Sequence, residues 1–250
     1  EVSRAMFDRQ IDVIMHDLAP IMRKYITHVK ELWGLDHIGY TDLQIDIDPA
    51  YSPTITLDQA KQDIEQATAI MGHDYQAQMM QAFTDHWIDF PANQGKDSGA
   101  YTAGPYGVHP YVEMTWSNSL PAVYTLIHEL GHTAQMVRSE KAHNILDADF
   151  NDYLVESPST FNELLLTHYL DQTAKDPQMK RFALSRLLND TYFHNFVTHL
   201  LEAAFQRKVY QRIDAGDSFD AAALNAIKRQ VLTDFWGPAV ELEEGAELTW

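Results

Sequence analysis

The chain has 250 residues, 45% hydrophobic and 22% charged, enough to bury roughly 70–75% of the surface its unfolded form exposes and unlike a disordered or collagen-like polymer. Eighteen basic residues against 36 acidic ones leave a formal charge of -18, which speaks against nucleic acid as a partner, because that affinity rests on neutralising phosphates. Cysteine is absent, so a disulfide framework, a zinc ribbon and a thiol nucleophile are excluded, and any metal site must use His, Asp and Glu.

Along the chain, Ile11, Ile14, Leu18, Ile21, Tyr25, Val29 and Leu32 recur at steps of three and four, predicting one amphipathic helix that Trp33-Gly34 stops. Leu43, Ile45 and Ile47 alternate with polar residues and suggest a short strand. Thr56 and Gln59 form a capping box for a helix carried by Leu57, Ala60, Ile64, Ala67 and Ile70 and ended by Gly72. Another helix is expected over 75–87, before Pro91. The glycine-rich stretch 95–107 contains a Gly95-Lys96 pair, but neither the spacing of a phosphate loop nor an apolar strand leading into it. A hairpin fits better, with strands over 98–103 and 110–116 and with Val112, Met114 and Trp116 facing a core; Pro110 at the first strand position costs no ladder bond. After Ser119 the pattern is helical almost to the end, broken at Asp176-Pro177, Gly216-Asp217 and Gly237-Pro238, with Ser218 as an N-cap for the stretch ending near Trp236. No repeat or Pro/Gly/Ser-rich linker interrupts it. The expected fold is a single, mainly α domain over 1–250 with a small β-sheet or hairpin.

The chemistry concentrates in 121–137, which contains His128-Glu129-x-x-His132. At about 100° per residue the two histidines lie one turn apart on one side of a helix, roughly opposite Val123, Leu126, Leu130, Ala134 and Val137. Imidazoles at i and i+4 can aim two nitrogens at one zinc ion, each about 2.0–2.1 Å away. Glu129 then sits beside the metal, where a general base for a water belongs. Gly131 removes a side chain there, leaving room for a ligand or a neighbouring backbone. A catalytic zinc site needs a third protein ligand and an open position. His143 does not have the metzincin spacing, which leaves Glu156, Glu163 and Glu140 as candidates. Glu156 and Glu163 are seven apart, on nearly one helix face, so one can bind zinc while the other orients an imidazole.

The run 99–111, then Trp116, then His128–His132, then 156–163 closely resembles the oligoendopeptidase F family, in the thimet oligopeptidase superfamily of zinc metallopeptidases. The stretches 32–36, 238–242 and 246–250 are also similar to that family, so the resemblance covers nearly the whole chain. It implies one Zn2+ per chain held by His128, His132 and Glu156, with Glu129 as catalytic base. Glu163 matches a family position and is assigned here to orienting a ligand. The implied fold is a zincin-like, mostly helical metallopeptidase catalytic domain with a small sheet beside the zinc. Its edge strand would be Gly99 to Ala103, with Gly99, Ala100 and Tyr101 pairing with the bound peptide as an added strand. Family members are more than twice as long. They carry an N-terminal helical region before the equivalent of Glu1, and an aromatic-rich His/Tyr segment after the equivalent of Trp250 that is thought to assist the transition state. The chain is therefore expected to be a fragment of the catalytic domain, weakly active or inactive alone.

The resulting expectation is a zinc-dependent endopeptidase that hydrolyses internal bonds of oligopeptides. A carboxypeptidase or dipeptidase trimming chain ends and a non-catalytic metal or peptide binder are the alternatives. No apolar run nears the roughly 18 residues that span a bilayer, and no basic n-region with an apolar stretch marks a secretory signal. A cytoplasmic protein with no membrane partner is expected, and nothing in the sequence specifies an oligomeric state.

Overall fold

The stretch predicted as one uninterrupted amphipathic helix contains a register slip. In the structure, a computed structural model that describes residues 2–44, 47–48 and 50–249, α1 (Arg4–Val13) and α2 (Ala19–Trp33) are joined by a π-turn at Ile14–Leu18. A π-turn absorbs one extra residue and so rotates the inward face. Ile11 and Ile14 are buried before it, and Ala19, Met22, Ile26 and Val29 after it. The predicted Leu18, Ile21 and Tyr25 are thus one position out of step, and Ile21 and Leu32 are exposed. Gly34, at φ 66, closes α2 in the left-handed conformation that glycine adopts at no steric cost.

The other regular elements are α3 (Leu57–Thr68), α4 (His73–Thr84), β1 (Ile88–Asp89), β2 (Ala100–Ala103), β3 (Tyr111–Met114), α5 (Leu120–Ala142), α6 (Ser157–Thr173), α7 (Pro177–Arg186), α8 (His199–Asp214) and α9 (Ala221–Trp236), with a longer π-helical segment at Leu187–Thr198. They form two compact units, residues 48–187 in one and residues 1–47 with 188–250 in the other. None of the described helices is long and apolar enough to cross a membrane.

The unit made from the two chain ends is helical, with a core that includes Met22, Ile26, Val231, Phe235 and Trp236. The Arg23 guanidinium donates to the carbonyls of Asp234 and Phe235 at the end of α9. Leu43 lies in a 3-10 turn over Tyr40–Gln44 rather than in a strand, and Ile45 of that expected strand is outside the described residues. The N-cap of α9 is Asp220, not Ser218: its carboxylate accepts the Ala223 N–H at 2.9 Å. Asp and Ser are comparable caps, so residue type alone could not separate two positions this close.

The unit over 48–187 surrounds α5. Thr56 caps α3 as predicted, its hydroxyl accepting the Gln59 N–H at 3.2 Å. The apolar stripe stops at Ala67, because Ile70 falls in a 3-10 turn at Ala69–Met71 and is exposed. The hairpin forms in the expected place, with antiparallel pairs from Ala100–Met114 to Ala103–Tyr111. A strand not foreseen, β1, pairs parallel with β3, giving the order β1-β3-β2. Val112 and Met114 point into the core while Tyr111 and Tyr101 are exposed, as the period of two requires. Among the described residues, strand β2 has no partner on its outer side.

Ser119 caps α5, its hydroxyl accepting the Ala122 N–H, and the helix buries Leu120, Val123, Leu126, Ile127, Leu130 and Ala134. Against it lies α6, nearly backbone to backbone. A Cβ at Gly131 would meet the Ser159 Cα at 2.6 Å and the Pro158 carbonyl oxygen at 2.8 Å. Of the two uses the sequence offered for Gly131, the neighbouring backbone is the one realised. Buried Asn162 on α6 locks the pair, donating to the Ile127 carbonyl at 3.0 Å and accepting from the Tyr75 hydroxyl at 2.8 Å. The obstruction at Gly131 is backbone, which cannot rotate aside, so Gly131→Ala is expected to cost about 1–3 kcal/mol. A urea unfolding curve checks this, and an unchanged midpoint would show that the helices have slack.

Candidate metal centre

Helix α5 carries His128 and His132 on adjacent turns, and Glu156 is the N-cap residue of α6. The contact at Gly131 brings the end of α6 against the imidazoles. Three atoms of these side chains form an almost equilateral triangle: His128 Nε2 to His132 Nε2 is 3.3 Å, and Glu156 Oε2 is 3.2 Å from each nitrogen. These residues form a group able to hold a metal ion. Two ligands bound to a tetrahedral zinc at 2.0–2.1 Å lie about 3.3 Å apart, so the side of the triangle fits that ion.

The protons of the site converge on the same point. Glu163 Oε1 is 2.6 Å from His128 Nδ1. A carboxylate only accepts, so Nδ1 carries the hydrogen and a neutral His128 turns the Nε2 lone pair into the triangle. There it faces a second carboxylate, Glu156, and acceptors this close repel unless a cation or a proton lies between them. The protein alone uses a proton. Burial works against a charge on His128, but hydrogen bonds to Glu156 and Glu163 outweigh it and raise its pKa from 6.5 to about 9. Hydrogen bonds from His128 and His132 hold the Glu156 carboxyl well below the usual carboxylate range.

Glu156 is itself held. The buried Ser159 hydroxyl lies 2.9 Å from both Glu156 Oε2 and the Glu156 carbonyl oxygen. Glu129 is only 6% exposed, and its Oε2 accepts from the Thr102 hydroxyl on β2 at 2.7 Å. Glu163, deeper in α6, is also buried. Of the other sequence candidates, Glu140 is used elsewhere, accepting the Gly107 N–H at 3.1 Å, and His143 caps the far end of α5, its carbonyl accepting from the Tyr106 hydroxyl. Ala100 and Tyr101 begin the edge strand β2, and Gly99, expected to be its first residue, lies in a bend just before it. Gly99 has φ 96, and the Tyr101 hydroxyl donates to Glu113 Oε2 at 2.8 Å. The sequence reading missed Thr102 and Ser159. A sign of Ser159 was present, three residues beyond Glu156 at a helix start; Thr102 carried none, because its partner is 27 residues away.

The description of peptidase family M3 matches residues 7–249. The chain belongs to peptidase family M3. Among its relatives, the oligopeptidase PepF of Bacillus subtilis is 24% identical over 249 residues, which are 100% of this chain and 37% of that protein. An oligoendopeptidase F homolog of Lactococcus lactis is 28% identical over 252 residues, 97% of this chain and 41% of that protein. The chain therefore spans about two fifths of the length of these M3 relatives. Among solved structures, PZ peptidase A with an inhibitor superposes with a TM-score of 0.78 at 16% identity, over 99% of this chain and 43% of that one. Oligoendopeptidase F from Enterococcus faecium does so with a TM-score of 0.65 at 20% identity, over 99% and 36%. At those identities the likeness is one of fold, and the mainly helical M3 fold with a small sheet is what the sequence predicted.

The shifted pKa values give the metal-free protein a defined pH response. The folded state binds the His128 proton more tightly than the unfolded chain, so that contribution is complete below about pH 6.5 and lost as pH rises through about 9. The Glu156 contribution has the opposite sign, present above its ordinary value of 4.5 and lost on acidification. In chelator, the melting temperature is expected to fall between pH 6.5 and 9.5, and to fall less in His128→Asn. Equal slopes for the two proteins would exclude His128 as the source.

Proposed function

We propose that His128, His132 and Glu156 hold one zinc ion, and that the site is the catalytic centre of an endopeptidase cutting internal bonds of oligopeptides. The observation that carries this reading is the triangle of three acceptor atoms with the Glu129 carboxylate on the same helix. When bound, zinc supplies polarisation of the scissile carbonyl and lowers the pKa of a water to about 7. Glu129 takes the proton of the attacking water and passes it to the leaving amine. Glu163 keeps His128 in the tautomer whose Nε2 faces the ion. Ala100 and Tyr101 lie along the free edge of β2 and Gly99 leads into it, where an extended peptide can add as a further strand. Residues 1–250 are read as part of a longer catalytic region acting in the cytoplasm.

Glu129→Gln keeps the side-chain shape and removes the base. In the full-length enzyme it is expected to leave zinc stoichiometry near one per chain while kcat falls by about 10²-fold or more; undiminished turnover would remove Glu129 from the mechanism. Mass spectrometry of a digested peptide should find internal cuts, whereas release of single terminal residues would favour a chain-end peptidase. Glu163→Gln is expected to weaken zinc binding by about 10- to 100-fold, measured by chelator competition. An unchanged affinity would mean that Glu163 does not orient His128.

A further inference from the structure

The buried carboxylate of Glu129 is gripped by the sheet, not by its own helix. The Thr102 hydroxyl lies 2.7 Å from Glu129 Oε2 and 3.0 Å from the Glu129 carbonyl oxygen. It has one proton for two acceptors. The carbonyl already accepts from the Thr133 hydroxyl one turn along α5, at 3.1 Å. The carboxylate is the shorter contact and the charged acceptor, so the Thr102 proton belongs there. Oε1 of Glu129 accepts no hydrogen bond among the described residues.

We propose that Thr102 is a positioning residue: from strand β2 its hydroxyl fixes the Glu129 carboxylate so that Oε2 is occupied and Oε1 is left to receive the proton from water. The inference rests on the reading of Glu129 as general base. Its physical content is division of labour between two oxygens that are equivalent in a freely turning carboxylate. The brace is stiff, since β2 is held by paired residues from Ala100–Met114 to Ala103–Tyr111, and β3 in turn pairs with β1. It also links two functions. The strand offered to the peptide carries the hydroxyl that aims the base, so a peptide added to β2 and the base that serves it share one rigid element.

Two substitutions separate this role from simple attachment of the sheet to α5. Thr102→Val keeps the shape and loses the donor; Thr102→Ser keeps the donor and loses a methyl. In the zinc-loaded full-length enzyme that contains this region, Thr102→Val is expected to lower kcat by about 10- to 100-fold, with KM within about twofold and zinc stoichiometry unchanged. Thr102→Ser should recover most of that loss. A second readout needs no turnover. In chelated protein, urea unfolding of Thr102→Val, Glu129→Ala and the double variant should give non-additive losses, because once the carboxylate is gone the valine removes only the longer contact to the Glu129 carbonyl. Additive losses, a kcat unchanged by Thr102→Val, an effect on KM alone, or a serine that fails to restore turnover would each overturn the proposal. A Glu129→Gln protein with wild-type turnover would instead sink the assignment of the base, while the urea cycle would still report whether the hydroxyl grips the carboxylate.

Discussion

The close approach of α5 and α6 at Gly131 is the constraint on which the site depends. With no side chain between the helices, the backbone at Pro158 and Ser159 comes within contact distance of α5. The same approach then serves both carboxylates of α6. Glu156, at the helix start, reaches the Nε2 atoms of His128 and His132, and Glu163, two turns deeper, reaches the other nitrogen of His128. A wider gap would detach both together. Asn162, bonded to an α5 carbonyl and to Tyr75 on α4, and the Tyr124–Thr167 hydroxyl pair at 2.8 Å hold the spacing from inside the core.

Charge makes the arrangement costly unless it is compensated. Three carboxylates, Glu129, Glu156 and Glu163, converge on two imidazoles, and two of the three are buried. Buried anions are tolerated when hydrogen-bonded and paired. Thr102, Ser159 and the His128 Nδ1–H supply bonds to each in turn, and a proton on His128 supplies part of the missing positive charge. A divalent cation would supply more of it at the point where the acceptors converge. The polar groups of the site are thus arranged around a positive charge that the side chains themselves provide only in part.

Much of this was legible in the sequence because the relevant information is local. The i, i+4 histidines, the seven-residue spacing of Glu156 and Glu163, and the cap at Thr56 are properties of single helices. Local patterns failed where a tertiary contact decides. The π-turn at Ile14–Leu18 moved the buried face of α2 by one residue, which periodicity cannot register when apolar residues stand at both sets of positions. Strand β1, two residues long, exists only because β3 offers it an edge. The third candidate ligand stayed ambiguous among Glu156, Glu163 and Glu140 on spacing alone, since separating Glu156 from Glu163 requires knowing which end of α6 meets the imidazoles, and setting Glu140 aside requires its contact with the Gly107 N–H. Thr102 was invisible for the same reason.

Chain order adds one consequence. Every group of the site, from Thr102 to Glu163, lies within the single continuous stretch 48–187, whereas the other unit is assembled from 1–47 and 188–250. During synthesis the complete candidate ligand set therefore emerges before half of that second unit exists. The triangle closes across only 28 residues, from His128 to Glu156, a short loop with a low entropic cost of closure. Assembly of the centre is in this sense a local event, set by one helical hairpin and a three-stranded sheet, and it can precede completion of the unit built from the two ends of the chain.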